Sequence, residues 1–325
     1  MGLITELIFK LNNKLDKSIH YNEKEDTNIQ LQQLEKLLTT VVEEDKEKVE
    51  KELNKLKIGV CGEEKVTYEL NNLYDIPALF LSNIRIELED KVAQIDFIII
   101  TRSCLIIIEA KRLIGNITID NEGNFSRTHT YNGYTKKEGF YSPISQNNKH
   151  IDILKQKLIQ DRIINKHFPI YSLVVISNPK SIVDKKFAPK SIKDLIVKYD
   201  NLNVKIHSIV KDNLDFKLTD NKMHSIAKYL KENNKQIEYD YIKKLDLHIK
   251  DRSEEEIYED LKHLRYEIAK QLKMLSKQGF IFTNDTLKSI SQIKPKTLED
   301  LSKVEGMTKN KIDKYGEEIL SIVKK

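Results

Sequence analysis

The spacing of hydrophobic positions changes several times along the chain. In residues 24–57, Leu31, Leu34, Leu38, Val41, Val42, Val49, Leu53 and Leu56 recur at helical intervals among Glu, Lys and Gln. That pattern predicts one or two long helices with a solvated outer face. Before them, Leu3, Ile4, Leu7, Ile8 and Leu11 trace an amphipathic stripe, expected to be a helix docked on the body. VCGEEKVTYELNNLY (60–74) predicts another helix. The texture then turns to strands over 82–88, 92–101 and 104–111, the last two carrying the apolar runs FIII and LIII. Gly115, Gly123, Gly133 and Gly139 punctuate a polar stretch of short strands and turns. A helix over 144–165, strands over 171–177 and 203–208, and a helix over 218–233 complete a mixed α/β arrangement.

A charged stretch, KKLDLHIKDRSEEE (243–256), separates a block that is helical throughout by pattern. Its first helix is expected over 257–277, and Asn284 or Asp285 should cap the second. Pro295 and Thr297 open a third, Gly306 ends it, and a last helix starts near Thr308. The expected organisation is a helical extension (1–57), an α/β domain (58–240), a linker (241–256) and a small all-α bundle (257–325).

Composition narrows the class. Hydrophobic residues make up 39% and charged residues 32%, which suits a water-soluble protein with a moderate core. No apolar run approaches the roughly 18 residues of a membrane-spanning helix, and MGLITELIFKLNNKL resembles neither a secretory signal nor a myristoylation site. Two cysteines, Cys61 and Cys104, form no C-x-x-C motif and fit a reducing cytoplasm. The net charge of +5 permits a polyanionic partner without demanding one.

Against that background, QIDFIIITRSCLIIIEAK (94–111) is anomalous. Its apolar runs carry Asp96, Glu109 and Lys111, and an uncompensated buried charge costs several kcal/mol. Strand alternation places Gln94 with Asp96, and Glu109 with Lys111. A hairpin turning at Arg102-Ser103 would set residue 96 opposite 109, so two acids converge with a lysine one step beyond. A divalent cation relieves such repulsion, and hard carboxylate oxygens suit Mg2+ or Mn2+. On the preceding helix Glu63 shares a face with Val66, Leu70 and Leu73, whereas Glu64 falls on the wet side. Glu63, Asp96, Glu109 and Lys111 could therefore bind one or two ions, activate a water and stabilise charge on a phosphate being cleaved. The lysine has two candidate jobs, orienting the water or neutralising developing charge.

The run Gly62-Glu63, then QID, IEAK and SPISQ (142–146), resembles the nuclease-related domain called NERD, grouped with the PD-(D/E)xK phosphodiesterases. The resemblance covers about 58–215. It implies a restriction-endonuclease-like core, a mixed sheet flanked by helices. It also implies Asp96 and Glu109 as metal ligands with the carbonyl of Ala110, Glu63 as the helix-borne acid, and Lys111 as the catalytic lysine. Gln94 matches the glutamine beside the acid and Gln146 the later helix glutamine. Ile95 stands where the wider superfamily has proline, and Ser142 where an asparagine usually precedes the proline. His150, one turn after Gln146, is read as a surface histidine in preference to a phosphate contact.

Residues 257–323 resemble the HRDC domain through FTNDTL (282–287), P-x-T-x-x-x-L from Pro295 and G-x-x-x-x-K-x-x-x-Y-G from Gly306. Such modules commonly bind single-stranded or branched nucleic acid. Lys294, Lys296, Lys309, Lys311 and Lys314 are the expected contacts, and amides after Gly306 could cradle a phosphate. Tyr266, Tyr315 and Phe280 are expected in the core; Phe282 is left open. The whole reads as a metal-dependent nuclease acting on DNA, in DNA processing or defence. The alternative is a non-catalytic nucleic-acid-binding or regulatory protein that keeps the nuclease fold as scaffold. No membrane partner is expected, and the helical N-terminal segment could hold a protein partner or a second copy.

Overall fold

A computed structural model describes residues 14–22, 25–131, 133–213, 217–235, 237 and 239–324. The stripe expected over 3–11 lies outside them. The chain divides into two compact units, Met1–Thr39 with Glu43–Leu247, and Thr40–Val42 with His248–Lys325. Among the described residues no helix is long and apolar enough to cross a membrane.

The first unit opens with strand β1 (Ser18–His20) and helices α1 (Glu25–Thr40) and α2 (Lys46–Asn71). A meander follows: β2 (Ala78–Leu88), β3 (Lys91–Thr101) and β4 (Leu105–Lys111). Next come β5 (Asn116–Ile119), β6 (Phe125–Tyr131), β7 (Tyr134–Phe140) and helix α3 (Pro143–Gln160). Strands β8 (Ile170–Ile176), β9 (Val183–Asp184) and β10 (Ile196–Lys198), then helices α4 (Leu202–Lys211) and α5 (Asp220–Glu232), follow. The main sheet runs β1-β2-β3-β4-β8-β10, antiparallel in the meander and parallel at both flanks; β7-β6-β5-β9 form a second sheet.

Helices cover both faces of the main sheet, which is why FIII and LIII run unbroken instead of alternating. On one face Ile98, Ile100, Leu105 and Ile107 pack with Leu154 and Leu158 of α3 and Met223 and Leu230 of α5. On the other, Phe97, Ile99, Ile106 and Ile108 pack with Val66 and Leu70 of α2 and Leu202 and Ile206 of α4.

Two element expectations give way. Residues 203–208 form part of helix α4, not a strand: burial falls at Leu202, Ile206 and Ile209, the helical interval, while Val204 is 70% exposed. The predicted break between 57 and 60 is also absent, because α2 runs through it. Gly62 explains why this helix must carry a glycine. A Cβ there would stand 2.7 Å from Ser177 Oγ and 2.9 Å from Arg112 Cβ, so its absence lets α2 approach the ends of β4 and β8.

The second unit holds α6 (Glu254–Gln271), α7 (Asn284–Ile293), α8 (Leu298–Ser302) and α9 (Lys309–Lys324). They surround Ile257, Leu261, Phe282, Leu287, Leu301 and Ile319. Ser253 and Thr297 begin α6 and α8 with reciprocal capping boxes. Thr283, not Asn284 or Asp285, caps α7 by accepting from the Thr286 amide. Phe280 and Tyr266 are 79% and 43% exposed, against expectation, whereas Phe282 is buried and meets Tyr315 edge-on.

Candidate active site at the β3–β4 fork

The meander splays where the charges lie. Strands β3 and β4 turn at Arg102-Ser103 and stay paired from Ile100–Leu105 to Phe97–Ile108. Beyond that pair β3 keeps to β2, while β4 stays with β8 as far as Lys111–Ile176. Asp96 and Glu109 are the next residues on either side of the fork. The Asp96 carboxylate fills the gap by accepting the Ala110 amide at 2.7 Å.

A second distortion coincides with this one. Ile84 and Ile86 join the same core as Leu79 and Leu81, and Ala93 and Ile95 the same core as Ile98 and Ile100. Alternation by two therefore breaks once in each strand. The break lies between the pairs Ser82–Phe97 and Ile84–Ile95, where Asn83 and Asp96 stand and Asn83 has φ +53°. Asp96 thus lies where neither face claims it, in electrostatic reach of Glu109 from β4 and Glu63 from α2.

Its electrostatics follow. Burial, then Glu109, then Glu63 push the Asp96 carboxyl well above the usual carboxylate range, opposed by the Ala110 amide and Lys111. Glu109 is only 2% exposed and meets the Lys111 ammonium at 2.5 Å. Lys111 also donates to Gln146 Oε1 at 3.2 Å, so α3, packed on the same face of the sheet, positions the ammonium. His150, expected at the surface, is half-buried with Nδ1 3.7 Å from Glu109 Oε2. Burial holds its proton affinity down. It faces the acids because one helical turn separates it from Gln146.

The structure thus brings Asp96, Glu109, Ala110, Lys111, Gln146 and His150 into one cluster. Glu63, Gln94 and Asp96 line an adjoining cleft of about 930 Å³, with Asn83, Arg85 and Tyr239 also on its wall. Carboxylates with the Ala110 carbonyl are hard oxygen donors, and their mutual repulsion suits a divalent cation. Among the described residues, no three His, Cys, Asp or Glu side chains already form a metal-holding group.

Sequence reasoning missed Asn147. Fully buried on α3, it donates to the Ile107 carbonyl at 2.9 Å, Ser172 Oγ at 2.9 Å and the Leu173 carbonyl at 3.2 Å, clamping β4 to β8 just before the fork. Its signal was present: Asn147, Ile151, Leu154 and Leu158 share one helix face, and an amide on an apolar stripe calls for buried partners. Ser142, the departure from the expected asparagine, caps α3 by accepting from the Ser145 amide ahead of Pro143.

Residues 58–177 match the family model described as the nuclease-related domain, NERD, and residues 254–323 match that of the HRDC domain. The chain pairs a nuclease-related domain with an HRDC domain. The ATP-dependent DNA helicase Q-like 4B of Arabidopsis thaliana is 41% identical over 63 residues, 19% of this chain. The chain spans 6% of that curated relative's length. A solved structure, D. radiodurans RecQ HRDC domain 3, is 32% identical over 22% of this chain and 92% of its own, with a TM-score of 0.21.

Within the HRDC domain the five nominated lysines are not equivalent. Lys294, in the left-handed region at φ +48°, closes α7 and donates its ammonium to the Arg252 carbonyl at 2.6 Å. Lys311 donates to the Gly306 carbonyl at 3.1 Å and lies over the Phe282 ring. Lys296, Lys309 and Lys314 are exposed.

Proposed function

We propose that the chain is a divalent-metal-dependent nuclease of the PD-(D/E)xK type, hydrolysing phosphodiester bonds in DNA. In this reading the HRDC domain engages single-stranded or branched substrate through Lys296, Lys309 and Lys314, with Lys294 and Lys311 adding charge from their structural positions. The observation that carries it is the fork, where Asp96 accepts the Ala110 amide within electrostatic reach of Glu109, Glu63 and Lys111.

Asp96, Glu109 and the Ala110 carbonyl would hold Mg2+ or Mn2+, with Glu63 as the further acid. Such an ion supplies an activated water and neutralises phosphate charge. Lys111 acts beside it, either orienting the attacking water or meeting charge on the phosphoryl oxygens, and Gln146 holds its ammonium in place. Gln94 and Glu63 border the cleft that would admit the strand.

One observation favours the scaffold alternative: Lys111 is already paired with Glu109. Incubating the purified chain with single-stranded, duplex, nicked and branched DNA in Mg2+ or Mn2+ separates the two. The nuclease reading expects cleavage that chelation stops and Asp96→Ala lowers by about 10²–10³-fold. Salt-sensitive binding without turnover in either metal would leave the scaffold reading standing.

A further inference from the structure

Positive charge in the first unit gathers beside the fork. Residues 178–198 carry Lys180, Lys185, Lys186, Lys190, Lys193 and Lys198 against Asp184 and Asp194, a net of +4 in a chain whose total is +5. The segment begins at the site itself: β8 ends alongside Lys111, and the Ser177 amide donates to the Lys111 carbonyl at 3.0 Å.

Its own lysines order it. Lys185 Nζ donates to the carbonyls of Lys193 and Ile196 at 2.8 and 2.7 Å, and Lys193 Nζ to that of Lys186 at 2.6 Å. Lys198 Nζ reaches the Pro179 carbonyl at 3.2 Å. A carbonyl satisfies an ammonium hydrogen without cancelling the charge. Among the described residues none of the six lysines forms an ion pair with a carboxylate. The outcome is a surface that keeps its charge at a fixed geometry. Lys180, Lys186 and Lys190 stand exposed on it. Phe187, 67% exposed, lies with the Lys186 ammonium 5.4 Å from its ring centre.

We propose that segment 178–198 is the surface on which a nucleic-acid backbone docks beside the fork, with Lys180, Lys186 and Lys190 meeting phosphates and Phe187 meeting a base. Unneutralised ammonium groups release counterions when they take phosphates, and an exposed ring beside them offers a stacking platform. A strand held there is led toward Lys111, because the segment and β4 are joined by the Ser177–Lys111 hydrogen bond. The choice of nucleic acid over another polyanion rests on the nuclease reading; the docking surface does not need cleavage to be real.

The test measures binding of the full chain to fluorescein-labelled single-stranded and duplex DNA across a salt series. Lys180→Glu/Lys186→Glu/Lys190→Glu is compared with an equal charge change at exposed Lys166, Lys228 and Lys231. Each duplex phosphate that the protein no longer neutralises flattens the log–log salt dependence by about 0.9, so the segment variant should lose roughly 2 to 3 in slope and the control none. Phe187→Ala should weaken single-strand binding by roughly 5- to 150-fold. If the triple variant misfolds by circular dichroism, Lys180→Gln/Lys190→Gln should still lower the slope by roughly 2. Wild-type slope and affinity in the segment variants, or equal loss in the control, would overturn the docking surface. So would segment-dependent binding to phosphatidylserine vesicles with none to DNA. Segment-dependent binding without cleavage would sink the nuclease reading alone, whereas cleavage unaffected by these variants would sink this inference alone.

Discussion

The β3–β4 fork and the β6–β7 ribbon treat charge in opposite ways. At the fork a half-buried acid, Asp96, faces two further acids and is pushed up. On the ribbon Glu138 lies between Lys136 at 2.7 Å and Arg127 and is pulled down to about 2. The ribbon pairs without interruption, whereas β3 and β4 part beyond Phe97–Ile108, and the charges differ as much as the backbone does. For the charges, the difference is whether the neighbours cancel them. A cancelled charge can serve only the local structure, while a surplus held in place by burial can act on a ligand.

Lys111→Ala is the severest way to break the comparison, because it removes the ammonium closest to the surplus. Cleavage should fall by about 10²–10³-fold while DNA affinity holds, since the loss is confined to groups at the reacting phosphate. A gel assay beside a binding titration reads both; equal cleavage would put the lysine outside the chemistry.

The next effect is on geometry. Asn147→Leu leaves the Ile107 and Leu173 carbonyls and Ser172 Oγ without their shared donor, and should destabilise the first unit by about 2–3 kcal/mol in urea titration. Because the clamp holds β4 to β8 next to Glu109, cleavage by the folded variant should drop as well. Lys294→Met should cost the HRDC domain about 1–2 kcal/mol through the lost bond to the Arg252 carbonyl. Nuclease chemistry at the fork should be untouched.

These two substitutions also mark how far the sequence could be read. The apolar runs and the turn at Arg102-Ser103 carried enough to align residue 96 with 109, since a two-residue hairpin leaves one register. Glu63 was legible from the face it shares with Val66 and Leu70, both buried against the sheet. The fork itself was not, because strand alternation assumes a continuous ladder and gives no sign that β3 and β4 part at Phe97. Nor does the chain reveal what an ammonium touches. Lys111 and Lys294 look alike in sequence, yet one joins side chains and the other a main-chain carbonyl. Helix α4 imitates a strand over a short window, because Val204 and Ile206 alternate with the polar Asn203, Lys205 and His207.

The smallest expected effect lies on the ribbon. Glu138 drops from an ordinary 4.5 to about 2, held first by Lys136 and then by Arg127. A carboxyl whose folded value is lowered contributes stability that is complete above its unfolded value and fades as pH falls through its folded one. The contribution of these pairs should therefore be full above about pH 4.5 and vanish toward about pH 2. Their partial exposure keeps the effect local, as solvent screens such pairs. Amide exchange along Phe125–Tyr131 and Tyr134–Phe140 should quicken over that window in wild type, and Glu138→Gln should remove the pH dependence. Exchange in the ribbon that ignores pH between 4.5 and 2 would mean the cross-strand ladder holds it without the ion pairs, and the contrast with the fork would then rest on Asp96 alone.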